Sequence, residues 1–145
     1  MLNYILWCYE DSIQNKGYSI GSCTIENEQI EHISPRVPPE GETLATGYDV
    51  DENNEYSQEF REKKLNCIGN LMLISGSHNA SIGNKPFRDK LESYNSNPLL
   101  KQQAEIADFL NNGEILWKTE QIDKRKQKIL DFALSEWNFD NIDVD

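Results

Sequence analysis

The sequence predicts an α+β domain: helices around a small two-stranded element, with one long acidic loop between the strands. Three observations predict it. The run LMLIS, residues 71–75, is compact and apolar, as a buried strand is. Ile25, Ile30 and Ile33 recur among polar residues between positions 23 and 33, the mark of a second strand. Stretches near both ends of the chain carry apolar side chains at helical spacing.

In chain order, residues 2–13 read as a helix, with Leu2, Ile5, Leu6, Tyr9 and Ile13 close to helical period, and Gly17 and Gly21 break it. The strand from Cys23 to Ile33 follows. Pro35, Pro38 and Pro39 then open a connection to about Tyr56 that is poor in apolar residues and reads as a solvated loop. Its DVDENNE stretch is acidic but lacks the spaced Gly and terminal Glu of a calcium-binding EF-hand. A short helix around Phe60 precedes the 71–75 strand. Residues 79–94 read as a helix through Phe87, Leu91 and Tyr94, with Gly83 and Pro86 disturbing its first turns. Asn97–Pro98 signals the start of a helix running to about Leu110, where Asn111, Asn112 and Gly113 end it. The last helix begins near Thr119 and keeps Ile122, Ile129, Ala133, Leu134 and Trp137 on one side. Trp117, Phe132 and Trp137 read as core, and Lys124, Arg125, Lys126 and Lys128 as an exposed helix face.

At 145 residues the chain suits one domain with a modest core, and its hydrophobic content excludes wholesale disorder. No apolar run approaches the roughly 20 residues that span a bilayer, and the N-terminus lacks the basic lead-in of a secretory signal. Three widely spaced cysteines with no CxxC pair argue against a disulfide framework or a cysteine-bound zinc, and point to a reducing, cytoplasmic setting. The net charge of −11 runs against nucleic-acid binding, which draws on a basic surface. It is unevenly spread: residues 1–62 hold 3 basic and 13 acidic side chains, residues 63–130 hold 11 basic and 7 acidic, and residues 131–145 hold 5 acidic and no basic ones.

Both histidines stand beside a residue able to bind a metal: His32 next to Glu31 in IEHISP, and His78 next to Asn79 in GNLMLISGSHN. Neighbours on a strand point to opposite faces, but a strand end near Pro35 lets the backbone bring both side chains to one site. Two strands joined by a loop and followed by a helix would gather Glu31, His32, Asn70 and Asn79. Taken singly, these residues have plainer uses: a structural histidine, a turn residue after Gly69, a helix cap. Lys85, Arg88 and Lys90 equally suit a solvated helix face.

IEHISP, IGNLMLISGSHNASIGNKPFRDK and the later Trp117, Ile122 and Arg125 together resemble the HNH, or His-Me finger, nucleases. More narrowly, they are similar to the C-terminal HNH-like domain of GmrSD-type, modification-dependent restriction endonucleases and related phage-defence proteins. The opening YILWCYED resembles the helix leading into that domain. The resemblance implies a small ββα-metal core and a domain over residues 1–138, with 139–145 as an acidic tail. It further implies a DNA endonuclease using one divalent cation, Mg²⁺ or Mn²⁺. Carried across, it makes His32 the general base and Asn70 the support for its ring or loop. Glu31 and Asn79 become metal ligands, with His78 a possible one, and Lys85, Arg88 and Lys90 contact phosphates. The family also implies an NTP-using specificity domain or subunit supplied elsewhere, since the chain has no GxxxxGK[ST] loop. Two rivals stay open: a noncatalytic interaction domain on the same scaffold, and cleavage of RNA.

Overall fold

Residues 1–14, 25–40 and 46–138 are described by a computed structural model. Two antiparallel strands, β1 (Glu28–His32) and β2 (Leu71–Ser75), pair from Glu28 opposite Ser75 to His32 opposite Leu71. Six α-helices surround them among the described residues: α1 (Leu2–Ile13), α2 (Gln58–Lys63), α3 (Gly76–Ile82), α4 (Phe87–Asn95), α5 (Lys101–Glu105) and α6 (Thr119–Glu136). Single 3-10 turns occupy Ile68–Asn70 and Ile106–Phe109.

β2 is a continuous apolar run because both of its faces are covered. Met72 and Ile74 join one cluster with Phe87, Tyr94, Trp117 and Ile122, and Leu73 joins another with Leu6, Ile25 and Leu100. Each such fully buried apolar side chain contributes about 1.5–3 kcal/mol. α6 lies against the turn that leads into β2, so closely that a Cβ on Gly69 would stand 2.1 Å from the Ile122 carbonyl oxygen. Only glycine permits that approach.

Helix 2–13, strand 71–75 and the helix start at Thr119 lie where the sequence predicts them. The first strand is shorter than expected; it starts at Glu28, after Asn27 in the left-handed region at φ 53°. Cys23, the breaks at Gly17 and Gly21, residues 41–45 of the loop and the tail 139–145 lie outside the described residues. The expected helix 79–94 is two helices. Ser75 caps the first by accepting from the His78 N–H at 3.3 Å, and the chain then leaves helical geometry at Gly83, φ 55°, before Pro86 starts the second. The expected helix start at Asn97 moves to Lys101. Asn97 is left-handed at φ 66°, and the buried carboxylate of Glu10 accepts from the N–H groups of Lys101 (2.7 Å) and Gln102 (3.0 Å). A cap borrowed from α1 overrides the local Asn-Pro signal.

The end of the long loop is pinned rather than freely solvated. Tyr48 and Tyr56 are buried, Tyr48 bridges to Trp117, and Asp49 accepts from the N–H and hydroxyl of Thr119 at the start of α6. Arg125 also departs from the exposed face expected of it. It is fully buried, and its Nη1 donates to the carbonyls of Ile68 (3.1 Å), Gly69 (3.1 Å) and Leu71 (2.7 Å). Trp117 is core as expected, whereas Phe132 and Trp137 are half-buried against Tyr9 and Tyr4 of α1.

Candidate active site

The end of β1 is where the polar residues of the sequence motifs meet. Just past the strand, the Ile33 N–H donates to the Asn70 carbonyl at 3.0 Å. The Asn70 side chain is fully buried and uses its whole hydrogen-bonding capacity. Its Oδ1 accepts from the Ser34 N–H (2.8 Å) and from Trp117 Nε1 (3.1 Å), while Nδ2 donates to the carbonyls of Ser34 (3.1 Å) and Leu65 (2.9 Å). Asn70 therefore holds the loop behind His32, not the imidazole ring.

The ring is held by a residue that the sequence reading missed. His32 Nε2 lies 3.0 Å from Oδ1 of Asn66. An amide oxygen only accepts, so Nε2 carries the ring proton and Nδ1 keeps the lone pair. Burial pushes the His32 pKa below its ordinary value. The Asn66 hydrogen bond acts the other way, and the nearby charge of Arg36 adds to the lowering. The imidazole is neutral at neutral pH, which a proton acceptor requires.

Glu31 pairs across the sheet with Met72, and its carboxylate is buried beside α4. Its Oε1 accepts from Lys90 Nζ (2.6 Å) and from the Tyr94 hydroxyl (2.8 Å). The same Lys90 ammonium donates to the His32 carbonyl at 2.8 Å. Lys90, expected on an exposed face with Lys85 and Arg88, is thus buried; its spacing from Phe87 and Tyr94 puts it on the inner stripe of α4. Burial lowers its pKa, and the charge of Glu31 opposes that lowering. Lys85 and Arg88 are exposed.

Asn79 lies in α3, where its Nδ2 donates to Gln29 Oε1 of β1 at 2.7 Å. A cleft of about 380 Å³ is lined by Glu31, His32, Arg36, Asn79 and Lys90 among others. His78 opens instead onto a different cavity, beside Glu10 and Lys101. Both of its ring nitrogens are occupied: Nδ1 faces Gln103 Nε2 at 3.1 Å, and Nε2 faces Ser93 Oγ at 2.9 Å. Arg36, also missed by the sequence reading, brings an exposed cation to the cleft.

Strand β1 ending in Glu31–His32, Asn70 entering β2, and Asn79 in the following helix are the parts of a ββα unit in order. The family model described as GmrSD restriction endonucleases, C-terminal domain, matches residues 1–132. The chain belongs to that family. GmrSD C-terminal domains are HNH-like nuclease domains of restriction endonucleases. No curated protein and no solved structure matches the chain.

A GmrSD-type nuclease domain implies a divalent metal. Among the described residues no group of three or more His, Cys, Asp or Glu gathers to hold one. The cleft instead offers two hard oxygen donors from different elements. The carboxylate of Glu31 has Oε2 beyond its bonds to Lys90 and Tyr94, and Asn79 has Oδ1 beyond its bond to Gln29. Oxygen donors that few suit Mg²⁺ or Mn²⁺, which retain several waters. The residues fit such an ion, with the Lys90 ammonium as a competing positive charge.

Proposed function

We propose that this domain hydrolyses phosphodiester bonds of DNA as an HNH-type endonuclease, the cutting part of a restriction or phage-defence system. The observation that carries the reading is the hydrogen bond from His32 to Asn66, which leaves a neutral imidazole nitrogen free at the cleft that Glu31 and Asn79 also line. His32 Nδ1 takes a proton from water. The resulting hydroxide attacks phosphorus, the bond from phosphorus to the 3′ oxygen breaks, and that oxygen leaves and is protonated. Asn70 keeps the loop behind His32 in place. Glu31 and Asn79 would hold one Mg²⁺ or Mn²⁺, which supplies stabilisation of the negative charge that builds on the phosphate and the leaving oxygen.

Lys85 and Arg88, both exposed, contact phosphates flanking the cut. A charge of −11 gives the domain little grip of its own, so an NTP-using specificity domain or subunit supplies DNA affinity and target choice. One observation favours the rival, a noncatalytic interaction domain: the Glu31 carboxylate already has a positive partner in Lys90. The deciding experiment is DNA nicking with and without Mn²⁺ by the wild type and His32→Ala. Loss of metal-dependent nicking with an unchanged circular dichroism spectrum is the expected result. Equal activity in a clean preparation removes the nuclease mechanism, and nicking of RNA in place of DNA corrects the substrate.

A further inference from the structure

Lys90 is the residue whose placement the proposed reaction does not absorb. It is 1% exposed, a rare state for a lysine, and its ammonium is committed to two adjacent residues of β1. It donates to the side chain of Glu31 at 2.6 Å and to the main-chain carbonyl of His32 at 2.8 Å. An ion pair this buried costs desolvation that its own attraction offsets only with further hydrogen bonds, here the His32 carbonyl on Lys90 and the Tyr94 hydroxyl on Glu31. The pair nonetheless reaches the wall of the cleft, where both residues join Asn79.

We infer that Lys90 is the resident counter-cation of Glu31 and sets how tightly the cleft takes a divalent metal ion. The inference rests on the reading of Glu31 and Asn79 as metal donors. A carboxylate already sharing Oε1 with an ammonium offers a dication only part of its charge. The ion must also settle beside a like charge that is itself buried, where repulsion is screened less than between exposed groups. The same ammonium keeps the carboxylate and the His32 carbonyl in place when no ion is bound. Binding is therefore weak by construction, and an ordered cleft without metal is the expected resting form.

The test is calorimetric titration of Mn²⁺ into the wild type, Lys90→Met and Lys90→Arg. Lys90→Met is expected to bind Mn²⁺ at least about tenfold more tightly, since a like charge at short range is gone. Lys90→Arg, which keeps the positive charge, is expected to bind Mn²⁺ no more tightly than the wild type. Equal affinity in the wild type and Lys90→Met overturns the inference. Lys90→Met leaves Glu31 buried without its partner, so a second measurement keeps the idea falsifiable should that variant not fold. In the wild type, substoichiometric Mn²⁺ should broaden the NMR signals of the Lys90 ε-methylene before those of exposed Lys63 and Lys85. Broadening that spares Lys90 overturns the inference as well. If the wild type binds Mn²⁺ and cuts DNA while either result fails, the role of Lys90 falls and the nuclease reading stands. If Mn²⁺ does not bind and DNA is not cut, both fall.

Discussion

Asn70 and Trp117 are joined by a hydrogen bond of 3.1 Å, from the indole Nε1 to the amide Oδ1, deep in the domain. The bond ties the segment just before α6 to the loop that follows His32, because the same oxygen also accepts from Ser34. With both donor positions of the amide spent on the carbonyls of Ser34 and Leu65, no atom of the Asn70 side chain is idle.

Asn70→Ala should therefore cost more than a surface amide would. It strands two buried N–H groups and weakens two carbonyls, each loss worth about 1–3 kcal/mol when unsatisfied. Urea unfolding should show a loss of roughly 3 kcal/mol or more. Asn70→Asp restores the acceptor but places a charge against two carbonyls, so it should not rescue. A loss below about 1 kcal/mol for Asn70→Ala would mean that the loop does not depend on this residue.

Asn66 predicts the opposite division between stability and activity. It is exposed and holds only the His32 ring, so Asn66→Ala should leave the unfolding free energy within about 0.5 kcal/mol of the wild type. Catalysis should suffer, because a base whose ring can turn loses part of an advantage typically worth about 10²–10⁴-fold. A fall of about tenfold to a hundredfold in kcat, with KM for DNA little changed, is expected. Asn66→Asp keeps an oxygen that accepts from Nε2 and should recover much of the rate. Wild-type kcat in Asn66→Ala would show that the ring needs no such support.

How far these features were legible in the sequence depends on how local their causes are. The strand at 71–75 and the helices at 2–13 and 119–136 follow from apolar patterns within each segment. The start of α5 does not, because its cap is Glu10, 91 residues earlier in the chain. The sequence expectation for Lys90 is a phosphate contact or a solvated face, and for Arg125 an exposed helix face; the spacing of both argues for burial instead. Lys90 stands three residues after Phe87 and four before Tyr94; Arg125 stands three after Ile122 and four before Ile129; all four neighbours are buried. A charge on a buried stripe was the available signal, and each found partners at the same place, the end of β1 and the turn into β2. Asn66 carried no such signal. It lies between a helix and a 3-10 turn, and only the fold brings it to His32.

His78 yields a prediction about pH. Burial, the largest cause, lowers its pKa in the folded protein below the ordinary 6.5, against the opposing influence of Glu31 and Ser93. Protonation would also turn Nδ1 from an acceptor into a second donor facing Gln103 Nε2. The unfolded chain, free of these constraints, takes up a proton more readily as pH falls through 6.5. The stability owed to a neutral His78 is therefore present above that value and drains away as pH drops toward the lower folded value. His32, lowered for the same leading reason, adds a parallel share. Melting temperature should thus fall between about pH 7.5 and about pH 5.5, the range in which an ordinary histidine titrates. His78→Gln, which cannot titrate, should show a shallower fall while retaining the share due to His32. A slope identical to that of the wild type would mean that His78 contributes nothing to the pH dependence.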